Sequence, residues 1–301
     1  MLSVLIPVFN FDIRKLVRDI HFQSLVSRIP FEILVFDDGS DSFYKDKNRE
    51  ITLLTNVIYN EEPINLGRSK IRNKLAKSAK YENLIFLDCD SQLTNRNFIE
   101  NYKPYLDKEM VVYGGRSYIK YPPKSQKLRL HWQHGIYREE VSADKRMVVP
   151  NRSFMTNNFM VHRSIFNKIC FDEKNINGYG HEDTLFGFEL KKYSINITHI
   201  DNPVYHIGLE ASEEFLRKTR EGIKNLKKIM KINGNEKRLI QDITLLSYYK
   251  KIEKMGLSNT VLYFYKRYEH LLRKNLLSEH PNLFVFDLYK LGYLCSLGGE
   301  R

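Results

Sequence analysis

Two aspartates separated by one residue follow an apolar run and form the most chemically suggestive feature of this sequence. Residues 84–87 are typical of a buried strand, and Asp88-Cys89-Asp90 closes it. Because side chains alternate along a strand, residues 88 and 90 should point the same way and Cys89 elsewhere. Open α/β sheets bind ligands at the carboxyl ends of their strands, and paired carboxylate oxygens suit Mg²⁺ or Mn²⁺. The spacing therefore predicts a divalent metal site.

Two further clusters carry groups that could bind a nucleotide. Asp38, in the run DDGS, follows another apolar segment and could accept a hydrogen bond from a base or a ribose. The same residue types are common in turns, which is the simpler alternative. Arg68 and Arg72 lie four residues apart and share one face of a predicted helix. That helix opens at Gly67, and its N-terminus would add positive potential toward a diphosphate, although a solvated basic face is equally compatible.

The elements that must position these residues alternate along the first half of the chain. Strands are predicted at residues 4–8, 31–36, 57–59, 84–87 and 110–113, and helices at 13–22 and 67–80. This alternation is typical of an α/β fold with a mostly parallel sheet flanked by helices. Residues 117–155 lack clear periodicity and are expected to form a loop-rich excursion beside the site. A strand at 158–162 and a helix from Arg163 are predicted to follow.

Charge and cysteine content narrow the class of protein. The formal net charge is +12, so nucleic acid, an anionic membrane surface and an anionic substrate are all candidate partners. Three widely spaced cysteines argue against a disulfide framework and a zinc site, and they fit a reducing cytoplasm. The first residues lack a charged region and a cleavage site, so they are expected to form a strand and not a signal peptide.

Five motifs in a fixed order resemble those of family 2 glycosyltransferases, which have the GT-A fold. In this sequence they read IPVFN from Ile6, FDDGS from Phe36, NLGR from Asn65 with Arg72-Asn73, then DCD and finally GYGHED from Gly178. The last one resembles the acceptor motif of the chondroitin-polymerase and galactosyltransferase-like branch. The resemblance covers residues 1–210 and implies a GT-A catalytic domain there. The helical spacing and charge of the remaining residues predict a basic, mostly helical region at 211–301.

The resemblance implies a role for each donor-site residue. Pro7 and Asp38 would line the uracil pocket, Arg68 and Arg72 would face the diphosphate, and Asp88 would approach the ribose.

Asp90 would bind Mn²⁺ or Mg²⁺, which neutralises the leaving diphosphate. A histidine after the acceptor motif completes the metal site in relatives; His206 is the first choice here and His199 the alternative. Asn157 and Asn158 match the segment that lines the donor sugar, but they stand where glycine is frequent.

The acceptor motif carries the predicted catalytic base. By resemblance Asp183 takes the proton of the acceptor hydroxyl, and Glu182 holds the acceptor hydroxyl groups. Gly180 would let the backbone approach the sugar closely, and Tyr179 would stack on it. The alternative is an acidic helix N-terminus stabilised by the helix dipole. A helix is predicted to follow at residues 184–192.

Basic and aromatic residues alternate in the last third of the chain. Between residues 214 and 280, Lys and Arg are interleaved with Leu, Ile, Tyr and Phe at helical spacing. One interpretation is a helix lying on an anionic membrane surface, which would suit a lipid-linked acceptor. The other is a helical bundle with a solvated basic face.

Together these features predict an inverting, metal-dependent transferase that moves a sugar from a UDP-sugar to a hydroxyl of a glycan. The expected setting is bacterial surface polysaccharide or lipid-linked oligosaccharide synthesis, in the cytoplasm or on the inner face of its membrane. A nucleic-acid-binding protein would leave the ordered acidic motifs unexplained, and no nucleic acid partner is expected. An oxidoreductase or a sugar nucleotidyltransferase would need a glycine-rich turn after the first strand, where this chain has PVFN.

Overall fold

The computed structural model describes residues 1–152, 154–175, 178–234 and 236–298, and the chain divides into two compact units. The larger unit comprises Met1–Tyr118, Glu140–Glu173 and Glu182–Gly208, and the smaller comprises Ile119–Glu139, Lys174–His181 and Leu209–Arg301. The last division lies beside the boundary expected near residue 210. Two earlier segments also belong to the smaller unit, which a linear reading of composition does not reveal.

The strands of the described residues all lie in the larger unit and form two sheets. In chain order they are β1 (Leu2–Val8), β2 (Phe31–Asp37), β3 (Val57–Glu61), β4 (Asn83–Leu87), β5 (Ser91–Leu93), β6 (Val111–Tyr113), β7 (Arg116–Ser117), β8 (Asn158–His162), β9 (Ile197–His199) and β10 (Val204–His206). The main sheet has the order β3-β2-β1-β4-β8-β6-β9, with only β8 antiparallel to its neighbours. A small sheet has the order β5-β10-β7.

Helices occur in both units. In chain order they are α1 (Arg14–Ser27), α2 (Ser42–Asn48), α3 (Arg68–Ser78), α4 (Arg129–His134), α5 (Ala143–Met147), α6 (Arg163–Lys168), α7 (Glu182–Lys192), α8 (Ser212–Ile232), α9 (Lys237–Asp242), α10 (Thr244–Lys254), α11 (Ser258–Leu276) and α12 (Leu283–Ser296). Helices α4 and α8 to α12 belong to the smaller unit. The segment expected to be a loop-rich excursion therefore contains short helices, and α7 begins two residues earlier than predicted.

Alternating side chains of the central strand explain why the main sheet is covered on both faces. Val4 and Ile6 of β1 pack in one apolar cluster with residues of α1, whereas Leu5 packs in another with Leu75 of α3. Strands buried on both faces read as continuous apolar runs, which is what the sequence shows. The predicted α/β fold with a mostly parallel sheet flanked by helices is confirmed.

The smaller unit has an apolar interior of its own. The buried side of α8 includes Phe215, Ile223 and Leu226, as the helical spacing predicts. Gly292 of α12 allows a close approach to α11, because a Cβ there would overlap the ring of Tyr265. This packing supports the helical-bundle interpretation of the C-terminal region. Among the described residues, no helix is both long and apolar enough to span a membrane.

The two units differ sharply in charge. The larger contains 24 Lys and Arg residues and 24 Asp and Glu residues, whereas the smaller contains 24 and 12. The whole formal net charge of +12 therefore belongs to the smaller unit. A basic surface favours an anionic partner for that unit.

Candidate active site

The Asp88-Cys89-Asp90 segment leaves the end of β4 as the sequence predicts. Cys89 packs against the apolar cluster beneath the sheet, and the Asp88 amide donates to Asn157 O at 3.0 Å. The Asp88 carboxylate lies between two guanidinium groups. Arg72 Nη2 donates to its Oδ1 at 2.7 Å, and Arg116 Nη2 lies 3.8 Å from its Oδ2. Asp88 therefore pairs with arginine side chains at the carboxyl end of the sheet.

Arg68 and Arg72 project from the first turns of α3, and both lie beside the carboxylate of Glu182. Arg68 Nη1 donates to Glu182 Oε1 at 3.1 Å, and Arg72 Nη1 lies 3.5 Å from that oxygen. The Arg72 side chain is 2 % exposed and that of Glu182 is 5 % exposed. Burial alone would raise the pKa of Glu182, but the two guanidinium groups outweigh it and lower the pKa. Glu182 is therefore an ionised partner of the predicted diphosphate-binding residues.

Arg72 retains unused hydrogen-bonding capacity. Within the described part of the chain, its buried Nε and Nη1 have no hydrogen-bond acceptor of good geometry. Its guanidinium carbon also lies 5.5 Å from the centre of the Phe171 ring, which shields it from water. Buried donors without acceptors cost free energy, so native sites usually supply a partner. An anionic ligand would satisfy these donors.

The small sheet brings His206 beside Asp90. Strand β10 pairs with β5 so that His206 faces Ser91, and the Ile207 amide donates to Asp90 O at 2.9 Å. His206 Nδ1 then lies 3.4 Å from Asp90 Oδ1. Gly208 is needed at this turn, because a Cβ there would come within 2.5 Å of the Asp90 carboxylate. Burial would raise the pKa of Asp90, but His206 and Arg116 outweigh it and hold that pKa well below its usual range.

His199, the alternative metal ligand, is engaged elsewhere in the larger unit. Its Nδ1 accepts a hydrogen bond from Arg146 Nε at 3.0 Å, and its Nε2 donates to Pro150 O at 2.8 Å. Burial lowers the pKa of His199 to about 4, so the ring is neutral at physiological pH. Both ring nitrogens of His199 are therefore engaged away from Asp90, whereas the ring of His206 lies beside the Asp90 carboxylate.

Asp90 and His206 fit a divalent cation as part of a ligand set. Among the described residues, no three His, Cys, Asp or Glu side chains converge as a complete metal cage. The buried Oδ1 of Asp90 has no hydrogen-bond donor of good geometry in the same part of the chain. One carboxylate oxygen and one imidazole suit Mn²⁺, and Mg²⁺ or Mn²⁺ commonly takes its remaining ligands from phosphate and water.

Asp183 has the properties of a general base. It lies in the first turn of α7, where the Thr184 amide donates to its Oδ1 at 2.7 Å. Burial and the neighbouring Glu182 carboxylate raise the pKa of Asp183 to about 6. A base is most effective when its pKa lies near the working pH. Asp183 therefore combines ionisation near neutrality with a higher proton affinity than an ordinary aspartate.

The predicted uracil-pocket residues lie at the ends of neighbouring strands. Pro7 of β1 is in register with Phe36 of β2, and the DDGS run begins at the next residue. Asp38 is buried, and its two carboxylate oxygens accept hydrogen bonds from the amides of Leu66 and Gly67 at 2.7 and 3.1 Å. Burial raises the pKa of Asp38. In this arrangement Asp38 fixes the turn that starts α3, and its contact with a base stays a prediction.

The two asparagines before the acceptor motif are buried in the larger unit. Asn158 is fully used, since its Nδ2 donates to Gly115 O and Asn202 O at 3.0 and 2.9 Å and its Oδ1 accepts from Tyr102. Asn157 Nδ2 is also buried but has no acceptor among the described residues. Asn158 therefore stabilises the fold, and Asn157 keeps a donor that a ligand could use.

Tyr179 and Gly180 belong to the smaller unit, where they contact α8. Asn225 Nδ2 donates to Tyr179 O at 3.1 Å, and Lys218 Nζ lies 4.9 Å from the centre of the Tyr179 ring. Gly180 has a φ of 97°, and a Cβ there would meet Gly222 Cα at 3.0 Å. The glycine is thus required by its backbone conformation and by packing. The predicted contacts of both residues with an acceptor remain predictions.

Arg116 is a site residue that the sequence does not reveal. It is the first residue of β7 and comes directly after Gly114-Gly115. Strand β7 has two residues and is too short to give a periodic signal. Its side chain is 14 % exposed and lies near Asp88, and its charge also lowers the pKa values of Asp90 and Asp183. Only the pairing of β7 with β10 brings it to the site. Arg116 adds a third cation to Arg68 and Arg72.

Comparison with known proteins agrees with this geometry. Residues 3–170 match the family described as Glycosyl transferase family 2, so the chain belongs to that family. The hyaluronan synthase of Pasteurella multocida is 25% identical over 241 residues, which cover 68% of this chain and 24% of that protein. The chondroitin synthase of P. multocida strain Pm70 is 26% identical over 231 residues, covering 63% and 23%. The chain thus spans about a quarter of the length of these relatives, whose branch it shares.

Solved structures support the fold. Mannosyltransferase PcManGT from Pyrobaculum calidifontis, determined with GDP-Man and Mn²⁺, has a TM-score of 0.55 and 12% identity over 99% of this chain and 88% of its own. S. aureus TarS 1-349 with UDP has a TM-score of 0.51 and 18% identity, covering 100% and 92%. These similarities confirm the GT-A fold. Nothing in the comparisons supports the nucleic-acid-binding alternative.

Proposed function

We propose that the protein is an inverting, metal-dependent glycosyltransferase that uses a UDP-sugar to glycosylate a hydroxyl of a glycan. The observation that carries the proposal is the cluster of Arg68, Arg72 and Arg116 around the carboxylates of Asp88 and Glu182, with unused donors on the buried Arg72. Such a cluster fits an oligophosphate, because guanidinium groups bind phosphate oxygens well. Hexosyl or N-acetylhexosaminyl donors are the proposed class.

The donor would extend along the carboxyl ends of the strands. Pro7 and Asp38 would contact the uracil. Asp88 would contact the ribose through one carboxylate oxygen, once that oxygen is released from its arginine partner. Arg68 and Arg72 would bind the diphosphate. Because Glu182 pairs with both arginines, diphosphate binding would compete with that carboxylate. The competition would release Glu182 for hydroxyl groups of the acceptor, as the acceptor motif implies.

A divalent cation would be held by Asp90 and His206, which meet at 3.4 Å. Mn²⁺ or Mg²⁺ at this position would supply positive charge that stabilises the leaving diphosphate. Arg72 and Arg116 would add fixed positive charge on the same side. The protein contributes the orientation of both ligands, through the pairing of β10 with β5.

Asp183 would accept the proton of the attacking hydroxyl. As the acceptor oxygen forms a bond to the anomeric carbon, the bond from that carbon to the diphosphate oxygen breaks and UDP leaves with the electron pair. Attack from the face opposite the leaving group inverts the anomeric configuration. Tyr179 and Gly180 are proposed to contact the acceptor sugar. General-base catalysis of this kind contributes about 10²–10⁴-fold.

Similarity to hyaluronan and chondroitin synthases favours a glycan acceptor of a bacterial surface polysaccharide. A lipid-linked oligosaccharide is the other acceptor class proposed, with the enzyme in the cytoplasm or on the inner face of the membrane. Both acceptors present a hydroxyl to Asp183, so they require the same chemistry at the reacting centre.

The test is sugar transfer by the full chain, with a panel of UDP-sugars, glycan oligosaccharides and Mn²⁺. We expect one donor to give a product whose new anomeric linkage, read by NMR, is inverted. Asp183→Asn should lower the rate about 10²–10⁴-fold. Glu189→Gln is the matched control, because it makes the same type of change on the same helix at a side chain whose ion pair is with Lys192. Transfer with retention, or equal rates in the two variants, would contradict the mechanism.

A further inference from the structure

Apolar and cationic side chains lie together on the solvent-exposed side of α11, outside the apolar interior of the smaller unit. The exposed residues concerned, called here the α11 outer face, are Tyr263, Phe264, Lys266, Arg267, Tyr268, Leu271 and Lys274. Residues 263, 267, 271 and 274 succeed one another at helical spacing, and 264 and 268 form the adjacent row. We propose that this face docks the protein onto an anionic lipid surface.

The apolar residues of the face are large and open to solvent. Tyr263 is 65 % exposed, Phe264 53 % and Leu271 50 %. The rings of Phe264 and Tyr268 stack with their centres 6.2 Å apart, which gives a continuous aromatic surface. Interfacial helices place such residues at the boundary between headgroups and acyl chains. Leu271 has neither a polar group nor an aromatic ring for a sugar, and the apolar surface that it forms with Phe264 suits lipid acyl chains.

The cations of the face are available for an external anion. Within the described residues, Lys266, Arg267 and Lys274 form no salt bridge with a carboxylate; Arg267 lies over the Tyr268 ring at 5.8 Å. Some cations elsewhere in the same unit are paired, for example Arg217 with Glu214 and Arg220 with Glu269. Basic residues near an anionic bilayer each strengthen binding by about 1 kcal/mol, which corresponds to about five-fold.

The distribution of charge over the chain supports the same partner. The smaller unit carries the whole net charge of +12, whereas the larger is neutral. A long-range positive potential would direct this unit toward an anionic bilayer, and the apolar residues of the α11 outer face would then hold it there. Reversible binding by a helix surface of this kind requires no membrane-spanning segment.

Vesicle co-sedimentation of the full chain tests the proposal. We expect binding to vesicles of phosphatidylcholine mixed with phosphatidylglycerol, little binding to phosphatidylcholine alone, and weakening at high ionic strength. The variant Lys266→Gln/Arg267→Gln/Lys274→Gln should bind on the order of 100-fold more weakly. Its matched control removes three exposed cations of the larger unit, through Arg96→Gln/Lys108→Gln/Lys145→Gln. Equal binding of these two variants would overturn the proposal.

The apolar contribution has its own control. Phe264→Ser/Leu271→Ser should lower vesicle binding about tenfold or more, whereas Phe22→Ser should not, although Phe22 is 64 % exposed on α1 of the neutral unit. If Phe264→Ser/Leu271→Ser left vesicle binding unchanged while the triple cation variant lost affinity for a soluble anionic glycan, the face would bind glycan and the proposal would be wrong.

Docking onto a lipid surface and transfer of sugar are separate properties of the chain that can be measured independently. Vesicle binding requires neither donor nor acceptor, and transfer to a soluble acceptor requires no vesicle. A chain that binds vesicles without transferring sugar would contradict the enzymatic proposal alone. A chain that transfers sugar without binding vesicles would contradict the docking proposal alone.

Discussion

Replacing the proposed base should make the protein more stable while it removes activity. The folded structure holds the pKa of Asp183 at about 6, against 3.8 for an unperturbed aspartate. A carboxyl group with a raised pKa binds its proton more tightly in the folded than in the unfolded state. Ionisation of Asp183 therefore lowers the free energy of unfolding. This destabilisation is absent below about pH 4, grows as the pH rises and is complete above about pH 6.

The size of the effect follows from the difference of about two pKa units. At 1.36 kcal/mol per unit, ionised Asp183 lowers the free energy of unfolding at pH 7.5 by about 3 kcal/mol. Asp183→Asn removes this charge and keeps an oxygen that can accept from the Thr184 amide, as in the wild type. The melting temperature at pH 7.5 should then rise by roughly 6–12 °C for a domain of this size.

Thermal unfolding without ligands, measured at pH 7.5 and at pH 4, tests this prediction. Asp183→Asn should be more stable than the wild type at pH 7.5, and the difference should shrink toward zero at pH 4. Glu189→Gln, on the same helix, should change stability by no more than about 0.5 kcal/mol at either pH. An Asp183→Asn protein that is no more stable at pH 7.5, or equally stabilised at both pH values, would show that ionised Asp183 does not destabilise the fold.

Three further outcomes follow from the same site. The transfer rate should fall below about pH 6 as Asp183 is protonated, and Glu182→Gln should move that limb of the pH–rate profile to lower pH; an unmoved limb would contradict the coupling of the two carboxylates. Arg72→Gln should lower the free energy of unfolding by about 3–5 kcal/mol, measured by urea denaturation, because it leaves the Asp88 and Glu182 carboxylates without their buried partner. His206→Ala should weaken the Mn²⁺ requirement for donor binding, measured by calorimetry with and without EDTA, and an unchanged metal dependence would exclude His206 as a ligand.

The sequence predicts the central architecture because the signals there are local. The apolar run before Asp88 is long enough to mark a strand buried on both faces, and the alternation of side chains correctly separates Cys89 from its neighbours. The basic spacing of α3 likewise places Arg68 and Arg72 on one face, where both reach Glu182. These relations need only the geometry of single elements.

Other features depend on contacts between distant segments. The two-residue strand β7 gives no periodic signal, so Arg116 is recognised only when β7 pairs with β10. The choice between His206 and His199 likewise depends on pairing with β5 and on the engagement of His199 by Arg146. The pairing of Glu182 with two arginines joins residues more than 100 positions apart, and nothing in local composition indicates it.

Binding of UDP-sugars to the purified chain, measured by thermal shift with and without Mn²⁺, is the most direct test of the proposed donor site. A ligand that binds the folded state must raise the melting temperature. We expect a shift with one UDP-sugar that requires Mn²⁺ and is lost in Asp90→Ala, but persists in Glu189→Gln. A panel of UDP-sugars that gives no shift, or a shift that Asp90→Ala retains in full, would contradict it.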